Sequence, residues 1–415
     1  MNQKKGNRKF YLILILGMLT AIGPFSIDMY LPAFPDIARS LNTTIAQVML
    51  SLSSFFIGIS AGQLIYGPLL ERFGRKKPLY VGLSIYLLAS VGCAMATSVN
   101  ALILFRLLQA LGGCVGMVAS RAMVRDLFDV KDNAKIFSSL MLVVAVSPII
   151  APTLGGYITA IFGWQYVFVM LIIVALLVLV SVYFLLPESR KPDPDFSLKP
   201  RPIVKNFLDV VKHPQFYTYA LTGAISAAGL YAYISGSPHV FMEIFRVSER
   251  QYGWIFALIA MGLIGASQIN TVLLKNYESE QIIKIALLCQ CVIGLILAST
   301  TYLGWSDLFL TIFLIFIFLC CQGFIFPNTS ALSMAPFGHK AGSASAVMGA
   351  IQMCIGAGAS AIVSVLQNYF SPMTGVMAFC AITAFSVLRF GRKIIVKRAT
   401  MRAVEKEEVE MISTL

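Results

Sequence analysis

Twelve runs of about twenty apolar residues, separated by short polar segments, constrain this chain more than any other feature. They begin near Phe10, Ala46, Leu79, Ala101, Ile136, Trp164, Phe216, Tyr252, Ile282, Trp305, Gly342 and Thr374. A run of that length is what a helix needs to cross the hydrocarbon core of a bilayer. Inside that core each backbone polar group must pair within its own segment, so the runs are predicted to be helices. With 58% hydrophobic and only 12% charged residues, the 415-residue chain reads as an all-α polytopic membrane protein.

An even number of spans puts both termini on one side, and the basic residues identify it. Of the 32 Lys and Arg, 27 fall in the termini and alternate loops of a single side. Arg39, Arg246 and Arg250 lie on the other side, and Arg106 and Arg121 lie within or at the end of helix four. The basic side is therefore expected to be cytoplasmic, in a bacterial cytoplasmic (inner) membrane. The net charge of +13 is spread by topology and gives no nucleic-acid face. Lys4, Lys5, Arg8 and Lys9 precede a first run too long for a cleavable signal. Trp164, Trp254 and Trp305 each follow a glycine where helices six, eight and ten enter from the opposite side, the interface tryptophan prefers.

The longest connection, rich in proline from Pro187 to Pro214, divides the chain in two. The expected units are a six-helix bundle at 1–187, a central loop at 188–215, a second bundle at 216–390 and a tail at 391–415. The tail has mixed charge, and its basic start is read as a membrane-side anchor on a surface helix. Two pseudosymmetric six-helix halves are a transporter plan, with a binding site between them.

Candidate functional residues are those costly to place in hydrocarbon. Asp28 comes at the end of the first run, in Ser26-Ile27-Asp28-Met29-Tyr30-Leu31-Pro32. It reads either as the first acid of a loop or as a carboxyl facing a cavity or pathway. In helix four Arg106, Gln109, Gly113, Met117 and Ser120 recur at spacings of three and four and share one polar, small face, as a cavity lining would. Counting from Pro32 and Asn100, Asp28 and Arg106 lie about 6 and 9 Å below one surface, so a direct or water-mediated pair is expected. Helix five carries Pro148, Pro152, Gly155 and Gly156, which predict a bend and a close helix approach. In helix seven Tyr231 and Ser235, four residues apart, offer a face to an apolar ligand, with Tyr30 on the first-helix side. His213 and His239 are assigned no chemistry.

Between helices two and three stands Gly67-Pro68-Leu69-Leu70-Glu71-Arg72-Phe73-Gly74-Arg75-Lys76-Lys77. Gly67 reads as a close-packing position and Gly74 as a tight turn. Glu71, Arg72 and Arg75 can form pairs that one conformation keeps and another breaks, a gating loop. This string resembles the signature loop of the major facilitator superfamily, with Glu71 where many members carry Asp. The stretch Ser26–Pro32 with Ala33-Phe34-Pro35 resembles the bicyclomycin/chloramphenicol-resistance (Bcr/CflA) branch of its drug–proton antiporters. Gln63-Leu64-Ile65-Tyr66-Gly67-Pro68 and Arg121-Ala122-Met123-Val124-Arg125-Asp126 fit that branch too. Helix five resembles the superfamily's antiporter motif, with Ala151 in place of the usual glycine before Pro152.

The resemblance implies proton-coupled efflux of drug-like small molecules by alternating access. Asp28 and Arg106 would be the proton-coupling residues, and Tyr30, Gln109, Gly113, Met117, Tyr231 and Ser235 would line the cavity. The alternative on the same fold is a proton-linked importer or facilitator of a small metabolite. A membrane enzyme is disfavoured: the three histidines are scattered and no helix carries paired carboxylates. No Gly-rich Lys-Ser/Thr nucleotide loop is present, so the proton gradient and not ATP is the expected drive. The eight cysteines fall inside apolar runs without metal-type spacing. No cofactor and no metal is expected, and the partners are the substrate, protons and the bilayer around a monomer.

Overall fold

The computed structural model describes residues 2–128, 130–337, 341–366 and 372–413, and within them the chain is helical with no strand. The first half comprises α1 (Asn2–Asp28), α2 (Phe34–Ser40), α3 (Ile45–Phe73), α4 (Lys76–Ala94), α5 (Val99–Leu127), α6 (Val130–Phe162) and α7 (Gln165–Phe184). A helix in the central loop, α8 (Pro200–Val211), follows. The second half comprises α9 (Pro214–Pro238), α10 (Glu249–Leu273), α11 (Ser279–Tyr302), α12 (Leu308–Met334), α13 (Ala341–Val365) and α14 (Pro372–Ser413). A short 3-10 turn, Leu31–Ala33, joins α1 to α2, and a π-helical turn, His239–Ile244, extends α9.

Among the described residues, eleven helices are long and apolar enough to cross a membrane. The twelfth crossing is α9, whose Gly, Ser, Thr and Tyr content keeps its hydropathy low. It can be so polar because nearly all of it, from Phe216 to Pro238, is enclosed by other helices. Six spans in each half thus give the expected twelve-helix architecture. The segment from 391 continues α14 without a break as far as Ser413. Lys340 and residues 414–415 lie outside the described residues.

The end of the molecule carrying Trp254 and Trp305 is called the far end here, and the opposite one the basic end. Four helices that start at the far end, α3, α5, α10 and α12, are fixed there by side-chain caps. Thr44 accepts a hydrogen bond from the Gln47 amide, Ser98 from Ala101, and Asp307 from Leu310, while Ser248 and Gln251 form a reciprocal capping box. Trp254 and Trp305 are exposed, as interface tryptophans should be. Trp164 corrects the expectation: it is buried, edge-on to Phe168 at 6.2 Å, and serves the core of the first half.

One continuous hydrophobic core runs through both halves, and the halves meet along two seams, α3 against α13 and α6 against α10. In ordinal terms these are helix two on helix eleven and helix five on helix eight. Exchanging the halves converts one seam into the other, as a pseudo-twofold requires.

Candidate functional site

Asp28 is the last residue of α1, and the chain does not leave the protein after it. Met29, Tyr30, Leu31, Ala33, Phe34, Ile37 and Ala38 are all buried. The first span thus runs on through the 3-10 turn into α2, ending at Ser40, and Asp28 lies inside it and not at a loop. The carboxyl is only 4% exposed and, among the described residues, takes no hydrogen bond and no ion pair. The 3-10 turn beside it packs on α9 and α10 of the second half. Asp28 is accordingly within electrostatic reach of Tyr231, Tyr233 and Tyr252, all three from that half.

Arg106 is fully buried, and the expected pair with Asp28 is absent. Its Nη1 donates to Gln109 Oε1 at 2.6 Å and its Nη2 to the Ser26 carbonyl at 3.0 Å. Three rings enclose the guanidinium, with centroids 4.5 Å (Tyr30), 4.1 Å (Phe55) and 6.0 Å (Phe168) away. A desolvated cation over an aromatic face gains about 2 kcal/mol, which is how the charge is carried without a carboxylate. Arg106 points into the first half and Asp28 toward the second, so the two side chains do not meet.

The shared face of helix four is real, but it packs on neighbours instead of lining an open space. Gln109 donates to Ser90 on α4 at 2.8 Å, Gly113 lies against Tyr86, Met117 against Gly23, and Ser120 donates to the Leu16 carbonyl. Tyr30 is a floor for Arg106, and its hydroxyl shares a hydrogen bond with Ser51 at 2.8 Å. Tyr231 packs at a tilt against Phe56 of the first half, ring centroids 4.8 Å apart. Ser235 accepts from Ser360, whose hydroxyl also meets Ser53 across the seam at 2.8 Å. The six residues assigned to one cavity therefore fall into two groups in this arrangement, one inside the first half and one on the α3–α13 seam.

At the basic end, Gly74 has φ +80° and turns α3 into α4 as expected. A side chain at Gly67 would meet nothing within 4 Å, so its reading as a close-packing position is corrected. Arg75 bonds Asp126 of α5 at 2.8 Å and Glu71 at 3.2 Å. Glu71 also takes Arg190 at 2.8 Å, while Glu188 receives the Arg75 and Lys76 amides and Arg72 donates to the carbonyls of Asp193 and Phe196. Burial works against the Arg75 charge, but Asp126 and Glu71 outweigh it and hold its pKa above the usual arginine value. The loop thus locks α3, α4, α5 and the start of the central loop together. Arg75→Ala would leave Asp126 with the Ser189 hydroxyl alone, and a loss of about 2 kcal/mol is expected, read as a lower Tm in detergent.

On α6, Pro148 and Pro152 lie within one continuous helix. A Cβ at Gly155 would stand 2.1 Å from the Met29 carbonyl oxygen, and one at Gly156 2.5 Å from that of Glu249. The first contact is with the turn after Asp28; the second crosses to α10. Nearby, Gly253 of α10 sits on Pro152 and Thr153, and Arg250 covers the Tyr157 ring at 5.2 Å. On the other seam Ser364 donates to the Ala46 carbonyl and Ser60 to that of Ala350. Near the far end each seam is therefore in direct contact, through Ser364 and Ala46 in one and Gly156 and Glu249 in the other.

The sequence profile described as Major Facilitator Superfamily matches residues 8–363. The chain belongs to that superfamily. It is 32% identical over 391 residues to the bicyclomycin resistance protein homolog of Haemophilus influenzae, covering 94% of this chain and 97% of the relative. It is likewise 32% identical to the uncharacterized MFS-type transporter YdgK of Bacillus subtilis, covering 91% and 94%. Identity to the multidrug resistance protein MdtL of Escherichia coli is 29%, covering 90% and 93%. These relatives place it in the bicyclomycin-resistance branch. In fold it resembles the crystal structure of a D-xylose–proton symporter (TM-score 0.72, 14% identity, covering 90% and 97%). It also resembles a bacterial homolog of the human lysosomal transporter Spinster, inward-facing and unoccupied (TM-score 0.67, 15% identity, covering 92% and 95%). The protein is a multi-pass membrane transporter and not an enzyme.

The facilitator fold also exposes a group that the sequence reading missed. Ser226 of α9 shares hydrogen bonds with the side-chain amides of Gln290 of α11 at 2.8 Å and Gln322 of α12 at 2.5 Å, its one proton going to one of them. It mirrors Ser26 on α1, Ser90 on α4 and Gln109 on α5, the corresponding helices of the first half. Ser26 and Ser226 occupy helices one and seven, so aligning the halves on those serines would have found it. The second cluster contains no cation, so the buried charge of Arg106 belongs to one half only.

Proposed function

We propose that this transporter expels drug-like small molecules from the cytoplasm in exchange for protons. One observation carries the reading: Asp28, a carboxyl in the first span with no hydrogen bond or ion pair among the described residues, lies beside the turn that packs on the second half. An unpaired carboxylate at that depth is costly, so the group accepts a proton when enclosed and releases it when rocking of the halves admits water. A substrate that occupies the same space displaces the proton, and exchange follows from that competition. Arg106 acts through structure: it fixes Ser26, and with it the α1 end that carries Asp28.

The names of the relatives support drug-like cargo, and the basic residues support a cytoplasmic basic end in a bacterial inner membrane. Tyr231, on the seam, is the side chain that would meet substrate when the halves part; Met117 packs on Gly23 of the first helix, and Gln109 and Tyr30 are engaged with Arg106. The Glu71–Arg75 loop gates by holding the basic end of the first half as one body. No cofactor takes part, and a monomer is sufficient. The test is drug-evoked proton movement in inverted vesicles, run over compounds including bicyclomycin, chloramphenicol and sulfonamides, with a susceptibility panel in an efflux-deficient bacterium. At least one compound is expected to release protons from energised vesicles and to be tolerated better by cells. A panel with neither effect refutes the reading.

A further inference from the structure

The central-loop helix α8 has a surface that neither the fold nor the transport cycle uses. Its side chains fall into sectors around the axis. Ile203, Phe207 and Val210 turn toward the protein, where Val210 is fully buried with Ala344 and Val347 of α13, and Leu64 of α3 packs on the same cluster. Val204, Leu208 and Val211, at i, i+4 and i+7, form a second sector that is 49%, 49% and 38% exposed. Arg201, Lys205 and Lys212 form a third, exposed sector along the edge of the apolar one. Asn206 and Asp209 lie on the side away from the exposed apolar stripe.

An apolar stripe bordered by a basic one is the pattern of a helix lying in the membrane interface. The position of α8 fits, because it lies in the connection between the basic-end terminus of α7 and the basic-end start of α9. Phe184 and Leu185, where the chain leaves α7, are also exposed and apolar, so the lipid-facing surface of that span is continuous with the approach to α8. We propose that α8 inserts Val204, Leu208 and Val211 into the acyl boundary of the basic-end leaflet and holds anionic lipid headgroups with Arg201, Lys205 and Lys212. The methylene stems of the basic residues lie along the apolar stripe while their charges reach the phosphates. Through Val210, lipid held by α8 bears on the start of α13 and thus on the α3–α13 seam. The inference is independent of what the transporter carries.

The test uses the full chain in phosphatidylethanolamine vesicles with and without phosphatidylglycerol bearing a diazirine in its acyl tail, or the same probe on phosphatidylethanolamine. After photolysis, adducts are mapped by mass spectrometry, with the transmembrane spans as internal reference. Adducts are expected on 204, 208 and 211, richer from the phosphatidylglycerol probe. Combined Arg201→Gln, Lys205→Gln and Lys212→Gln should lower that preference at least about fivefold, the factor for one basic residue at an anionic surface. Spans labelled with 200–212 bare would overturn the proposal and leave the face to water or a soluble partner. Equal labelling from both probes, or a preference kept in the triple variant, would overturn the anionic assignment.

Discussion

Asp28→Asn is expected to abolish drug-evoked proton movement while leaving the protein folded. Asparagine has nearly the shape of the acid but has no proton to exchange. Most substitutions that bury an unsatisfied group are destabilising, and the usual cause is a partner left stranded. Here no partner is lost, because the Asp28 carboxyl takes neither a hydrogen bond nor an ion pair among the described residues. The amide replaces the neutral acid, so Tm should move little, corresponding to about 1 kcal/mol or less. Two functional readouts separate a proton carrier from a packing residue. Proton release on drug addition should fall to background in vesicles, and drug affinity in detergent should lose its pH dependence. If the variant folds and still exchanges drug for protons at the wild-type rate, the carrier lies elsewhere.

What the sequence disclosed depended on whether the property was periodic or directional. Spans follow from composition along the chain, and the helices stand where that pattern puts them. The shared face of Arg106, Gln109, Gly113, Met117 and Ser120 was legible from a 3.6-residue period. Its occupant was not, because a small polar stripe suits a helix neighbour as well as a cavity. Gly155 and Gly156 were read correctly as close-approach positions, yet they serve different partners, one within the first half and one across the seam. Gly67, equally small, approaches nothing. The aromatic cage of Arg106 draws Tyr30, Phe55 and Phe168 from three separate elements, and no spacing in the sequence announces it. That Tyr231, Tyr233 and Tyr252 lie within electrostatic reach of Asp28 was not legible for the same reason: they do so only because the two halves fold back on each other.

Gly156→Ala should weaken the seal at the far end without unfolding either half. The added methyl would stand 2.5 Å from the Glu249 carbonyl oxygen, with the Glu249 carbonyl carbon at 3.1 Å and the Arg250 nitrogen at 3.5 Å. A carbonyl at the start of α10 cannot swing aside as a side-chain tip would, so α6 and α10 must separate at that point. The same stretch of α6 also carries the contacts of Gly253 with Thr153 and of Arg250 with Tyr157, and these would loosen together. Cores and interfaces repack between discrete arrangements and do not stretch, so the cost falls on the far-end-closed state relative to the opposite one. With about 1.4 kcal/mol of differential strain the ratio of the two states changes tenfold. The measurement is labelling of a cysteine placed at the far end of the seam, in a background with the exposed Cys289 and Cys354 replaced; its rate should rise in the variant. Gly155→Ala supplies the contrast. Its methyl would press on the Met29 carbonyl within the first half, displacing the turn after Asp28, so it should depress Tm and proton exchange more than it changes far-end labelling. Equal labelling in wild type and Gly156→Ala would mean that the α6–α10 contact does not hold the far end shut.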